Sequence, residues 1–162
     1  MATKKTGPKE FVMFDHPVIP NRDARGMIIH LLDIEIGAGI RRRFEAAGAA
    51  ITPENFVVLA MLVNQEGVHQ SELARLTRKN RHNMARIIAC LEQKGYVQRR
   101  SDGGDKRRQL VFLTGEGRCV LDEYAPIVSE FSSLVFDGLS DEELETMQRI
   151  HLQILSNLGV EV

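Results

Sequence analysis

The sequence predicts a mainly α protein, an α+β chain of about six helices with one small β-hairpin. Apolar residues recur at helical spacing in six stretches, most of them opened by a capping residue or closed by glycine. Only two short segments are rich in β-formers, and they flank the polar tip Ser101-Asp-Gly-Gly-Asp105. The longest helical patterns stand toward the two ends and bracket a compact middle.

Residues 1–21 contain Pro8, Pro17 and Pro20 without periodicity and are expected to form an irregular arm. From Arg22 to Ala47, Met27, Leu31 and Ile34, with Ile28, Leu32 and Ile36, then Ile40 and Phe44, describe a long first helix. Its apolar coverage is wider than a monomer of this size requires. A second helix opens at Thr52, a capping residue, with Pro53 in the first helical position and Ile51 placed to staple onto Phe56. Val57, Met61 and Leu62 form its core face, and Gly67 ends it. Val68 to Leu76 reads as a short third helix. Asn80 caps a fourth, from Arg81 to about Lys94, closed by Gly95 where a left-handed residue is needed.

Tyr96–Arg100 and Gln109–Leu113 are the hairpin strands. Thr114 opens a fifth helix to about Phe136, with Leu121, Tyr124, Val128, Phe131 and Val135 as its stripe, broken by Gly138. Ser140-Asp-Glu-Glu143 is a capping box, with Leu139 placed to staple onto Leu144. The last helix carries Leu144, Met147, Ile150, Ile154 and Leu158.

The chain has 162 residues, 21 basic and 22 acidic, a formal charge of -1, which by itself discourages a polyanionic partner. The distribution reverses that impression. Residues 1–74 carry 8 basic and 9 acidic side chains, residues 75–108 carry 11 and 3, and residues 109–162 carry 2 and 10. A net +8 confined to 34 residues is the footprint of a phosphate-binding surface, because each neutralised phosphate releases counterions. A solvated charged face is the bland alternative. The longest runs without a charge, Asn55–Gln65 and Ile150–Val160, are eleven residues, too short for a membrane span of about 20. No apolar stretch follows the N-terminal residues, so no signal peptide is expected, and two lone cysteines suit a reduced, cytoplasmic setting.

The helix from Arg81 has two faces. Met84, Ile87, Ile88 and Leu91 fall at i, i+3, i+4 and i+7 and must face the core. Opposite them lie His82, Ala85, Arg86 and Ala89, with Arg81 and Asn83 in the first turn and Arg78 and Lys79 just before it. These residue types suit a major groove: arginine can donate two bonds to guanine, asparagine can pair with adenine, and alanine lets a helix come close. A solvated face of this size would more often mix Glu with Arg. In the hairpin, Arg99, Arg100, Lys106, Arg107 and Arg108 cluster around the tip, where a two-stranded ribbon reaches along a duplex. An aspartate such as Asp105 can hold a neighbouring guanidinium in one rotamer, while Asp102 fits a solvated turn.

Taken together, Thr52-Pro53 with Phe56 and Leu59, Glu72-Leu73-Ala74, Arg86, Leu91-Glu92-Gln93-Lys94-Gly95-Tyr96-Val97-Gln98-Arg99, Asp105-Lys106-Arg107 and Leu113-Thr114-Gly115-Glu116-Gly117 resemble the MarR family of bacterial winged-helix transcriptional regulators. The resemblance runs from about residue 22 to 158. It implies a winged helix-turn-helix over 51–114 and a helical dimerisation region formed by 22–50 and 115–162. It also implies a homodimer that sets two heads on a pseudo-palindromic double-stranded DNA operator, with repression as the default. By matching position, residues 81–86 lie in the recognition helix, and Asp105 and Arg107 form the wing pair, with Arg107 entering the minor groove. Lys106 keeps the charge of an arginine common at its position without the planar fork. Arg78, Lys79, Arg81, His82, Asn83, Arg86, Arg99, Asp105, Lys106 and Arg107 are therefore the expected DNA contacts.

The family commonly senses small aromatic anions, peroxides or zinc. The peroxide branch uses a cysteine in the first helix, which this chain lacks. Cys90 and Cys119 read as buried structural thiols. His30, Asp33 and Glu35, with His16 upstream, lack the spacing of a structural metal site, and no metal or cofactor is expected. A small organic effector between the dimer helices and the head remains, with His30 and Arg41 as candidate grips on its carboxylate. A redox- or metal-responsive regulator of the same fold stays open as an alternative, as do a regulator without effector and a dimeric protein-binding adaptor. No enzyme is expected, since H-E-x-x-H, G-x-S-x-G, P-loop and G-x-G-x-x-G patterns are all missing.

Overall fold

A computed structural model describes residues 24–63, 65, 67–102 and 105–160, with only the backbone described for Ala24, Asp102 and residues 105–108. The element order is α1 (Ala24–Ala46), α2 (Pro53–Leu62), β1 (Val68–His69), α3 (Gln70–Leu76), α4 (Arg81–Gln93), β2 (Val97–Asp102), β3 (Asp105–Leu113), α5 (Gly115–Val135) and α6 (Asp141–Asn157). The irregular arm expected over 1–21 lies outside the described residues. The chain divides between Gly48 and Ala49 into two compact units.

In the first unit, α1 leaves Met27, Ile28, Ile29, Leu31, Leu32, Ile34 and Ile36 exposed, so its apolar residues cover most of its circumference.

The second unit follows local rules closely. Thr52 caps α2 by accepting from the Asn55 amide at 3.2 Å. Asn80 caps α4 by accepting from the Asn83 amide at 2.8 Å. Thr114 caps α5 through the Gly117 amide at 3.0 Å. Ser140 and Glu143 complete a reciprocal box at the start of α6. Gly95 has φ +77, the left-handed closure that α4 requires.

The core is built from Ile51, Val58, Leu59 and Leu62, from Leu73 and Ala74, from Met84, Ile88 and Leu91, and from Val97, Val111, Tyr124 and Phe131. Complete burial of Met84, Ile88 and Leu91 contributes roughly 1.5–3 kcal/mol each before entropic costs. Thr114 locks the hairpin base to α5: its hydroxyl donates to the Gly95 carbonyl at 2.7 Å and its amide to the Tyr96 carbonyl at 3.1 Å. At Gly117 a Cβ would lie 2.1 Å from the Tyr96 carbonyl oxygen, so α5 reaches the hairpin only because glycine stands there. This close joint explains Thr114 and Gly117 in the Leu-Thr-Gly-Glu-Gly run.

Three expectations are corrected. Val57, placed on the core face of α2, is exposed, because the buried face of that helix is formed by Asn55, Val58, Leu59 and Leu62. Val68 and His69 do not open a helix but form a strand, pairing with Val111 and Leu110 to make a three-stranded antiparallel sheet of order β1-β3-β2. A pairing across about forty residues supplies these two residues with ladder partners that no local pattern could reveal. The hairpin is also longer than its β-rich core: Asp102 pairs with Asp105 after a register shift at Ser101, so Lys106, Arg107 and Arg108 stand in β3 and not in a loop.

Candidate nucleic-acid interface

The α3–α4 turn and α4 present most of the expected contacts on one chain segment. Arg78 adopts φ +53, the only described non-glycine residue with positive φ. Its amide donates to the Arg75 carbonyl at 3.2 Å, and that of Lys79 to the Ala74 carbonyl at 3.0 Å. These are the two reversed bonds that satisfy a helix C-terminus, usually with glycine in the left-handed position. An arginine there costs about 1 kcal/mol in backbone strain. Its side chain is exposed, and that of Lys79 is half-buried.

Along α4, Met84, Ile88 and Leu91 are fully buried while Arg81, His82, Asn83, Arg86 and Ala89 are exposed and Ala85 is half-buried. The helix therefore shows two faces, with Ile87, expected in the core, half-buried at their edge. Its N-terminal turn adds the positive end of the helix dipole to three exposed polar side chains. Cys90 and Cys119 are both exposed, contrary to expectation. The reason is angular: at about 100° per residue Cys119 falls on the face opposite the α5 stripe, and Cys90 falls about 100° from Leu91, away from the side of the buried residues Met84, Ile88 and Leu91.

The hairpin splits its arginines by strand alternation. Arg99 shares a face with buried Val97, pairs with Val111 and turns toward α4. Its Nε donates to Glu92 Oε2 at 2.8 Å, and a terminal guanidinium nitrogen donates to the same oxygen. That hydrogen-bonded ion pair holds the Glu92 carboxyl below its ordinary range and pushes the Arg99 guanidinium further up. Arg100, on the opposite face, is exposed, with its guanidinium 4.8 Å from the Phe112 ring centroid. The engagement of Arg99 was missed in the sequence, although the period-two placement of Val97 and Arg99 on one face was a usable signal. Asp105, Lys106 and Arg107 begin β3, and their side chains lie outside the described ones.

His30 and Arg41 occupy the same side of α1, both exposed, but eleven residues separate them. At 1.5 Å per residue that is about 16 Å along the axis, too far for both to hold one carboxylate from a single chain. His16 lies outside the described residues, and among the described residues no three His, Cys, Asp or Glu side chains cluster as a metal site would need. An open depression of about 600 Å³ runs along α6, between Ser140 and Ile150. One helix cannot enclose a ligand, so this hollow belongs with the uncovered stripe of α6 and not with a binding pocket. No helix among the described residues is long and apolar enough to cross a membrane.

The MarR family model matches residues 51–108, the segment that carries α2 to α4 and most of the sheet. The transcriptional regulator HosA of Escherichia coli is 30% identical over 100 residues, covering 62% of this chain and 74% of HosA. The chain belongs to the MarR family. The transcriptional repressor MprA of Escherichia coli is 30% identical over 105 residues, covering 64% of this chain and 60% of MprA. The crystal structure of a DNA complex of MepR from S. aureus superposes with a TM-score of 0.72 at 24% identity, over 82% of this chain and 97% of that one. The chain has the winged-helix fold of these regulators, with six helices and a small three-stranded antiparallel sheet among the described residues. This MarR-family protein is a transcriptional regulator and not an enzyme.

Proposed function

We propose that two copies of this chain bind a pseudo-palindromic double-stranded DNA operator in the cytoplasm and repress transcription. The two-faced α4 carries the reading. Three fully buried apolar residues fix the helix in the head, which leaves Arg81, His82, Asn83 and Arg86 projecting from a rigid support beside Arg78 and Lys79. In this reading Arg86 and Asn83 reach base edges, while Arg78 and Lys79 meet phosphate. Asp105, Lys106 and Arg107 work from the wing, with Arg107 in the minor groove. Residues 51–114 are the DNA-binding head, and 22–50 with 115–162 form the dimer. The exposed apolar residues of α1 and α6 support that division, and the repressor named among the relatives supports repression.

Selection of duplexes from a random pool with purified protein tests this reading, and failure to retain any duplex at low salt overturns it. On the selected duplex, Arg86→Ala should cost about 1–3 kcal/mol and relax preference at one base position. Equal losses on selected and unrelated duplexes would reassign Arg86 to phosphate. The same assay repeated with a panel of phenolic acids tests release by a small aromatic anion.

A further inference from the structure

Arg99 was expected to touch DNA because it is basic and lies in the wing. Its surroundings give it other work. In β2, Val97 is buried against the head, whereas Gln98, Arg100 and Ser101 are exposed, so apolar packing anchors this strand at its base. Arg99, two residues farther out on the face of Val97, ties the ribbon to the last turn of α4 through Glu92. Two donors on one carboxylate oxygen fix both the distance and the plane of the guanidinium, which a single contact would leave free to rotate. Both side chains keep roughly a third of their surface in solvent, at 30% for Arg99 and 36% for Glu92, so the pair sits where the head's packing gives way to the free ribbon.

We propose that the Glu92–Arg99 pair is a strut setting the angle between the wing and the recognition helix, so that Arg99 acts as a positioning residue for duplex recognition and not as a phosphate contact. The proposal rests on the duplex-binding reading above. The two roles of Arg99 make opposite predictions at Glu92. Glu92 is a negative charge inside the most basic stretch of the chain. If Arg99 met phosphate, removing that carboxylate would release the guanidinium and lessen repulsion, and binding would tighten. If the pair is a strut, the same change loosens the wing and binding weakens although the protein has become more positive.

The test compares wild type with Glu92→Gln, Arg99→Gln, the double variant and Arg99→Lys, on a duplex selected from a random pool and on an unrelated duplex, across a salt series. Hydrogen exchange of the β2 and β3 amides is followed in the DNA-free proteins. Glu92→Gln and Arg99→Gln should each weaken binding to the selected duplex by up to about fivefold, the size of a half-exposed ion pair. The double variant should be no worse than either single one, because both remove the same contact. The salt slope should stay at the wild-type value, exchange in the hairpin should quicken, and Arg99→Lys should recover part of the affinity.

Tighter binding by Glu92→Gln, with a slope lowered by about one in Arg99→Gln, would overturn the strut and return Arg99 to phosphate. Wild-type affinity in all the variants would equally overturn it, leaving a surface staple. Should the wild type retain no duplex, the DNA-binding reading falls by that result alone. The strut then stands or falls on hairpin exchange, and an unchanged rate in Glu92→Gln sinks it.

Discussion

Helices α4 and α6 each open on a side-chain cap and each carry an apolar stripe at helical spacing, but the stripes meet different fates. In α4 the stripe is sealed inside the head, with Met84, Ile88 and Leu91 fully buried. In α6 no residue is buried, and Ile150, Leu152 and Ile154 stand open, as does the capping Leu158 at 72%. One chain thus satisfies α4 and leaves α6 unsatisfied. A helix whose apolar face is fully used has only its polar face to offer a partner, and on α4 that face is cationic. A helix whose apolar face is open offers that face, and the partner it suits is another protein surface, here the second copy proposed above. Under the proposed function the same periodic pattern serves a DNA reader in one place and an assembly surface in the other; the deciding quantity is what the rest of the chain covers.

Truncating the two stripes breaks that comparison most directly. Ile88→Ala removes a fully buried side chain and should destabilise the head by about 2–5 kcal/mol, read as a drop in melting temperature that raising the protein concentration does not recover. Ile150→Ala combined with Ile154→Ala should act on association instead. Sedimentation should show a shift from dimer toward monomer, and raising the protein concentration should restore the melting temperature, as mass action requires. A concentration-independent loss in the α6 variant would mean that its stripe supports the single chain, and the contrast between the helices would collapse.

That contrast also explains which parts of the molecule were legible in sequence. Caps at Thr52, Asn80 and Ser140, the closure at Gly95 and the stripe of α4 are written within one or two turns of chain, and the structure places each where local rules put it. The β1 strand was not legible, because Val68 and His69 take their conformation from Val111 and Leu110, far along the chain. The start of β3 was hidden for a related reason: Asp105-Lys-Arg-Arg has poor strand propensity but follows the ladder that Gln109 to Leu113 begin. At the interface, charge and spacing identified the exposed stripe of α4. They could not separate Arg99 from Arg100, since composition treats both as basic and only the pleat sends one to Glu92 and the other over Phe112.

The smallest expected effect on stability comes from the turn that enters α4, and it separates folding from binding in a single residue. Arg78 holds a left-handed backbone that glycine would adopt without a Cβ clash, so selection for stability alone would not favour arginine there. Arg78→Gly relieves the strain and gives back part of that gain through the greater freedom of glycine in the unfolded chain. Stability should therefore stay level or rise by up to about 1 kcal/mol. If the side chain meets phosphate, the same variant should bind selected and unrelated duplexes more weakly by a similar factor, with the salt slope reduced by about one. Asparagine, which tolerates the left-handed region but carries no charge, should match glycine in binding. A salt slope unchanged in both variants would show that Arg78 serves the turn alone, and the boundary of the DNA-facing surface would then retreat to the first residue of α4.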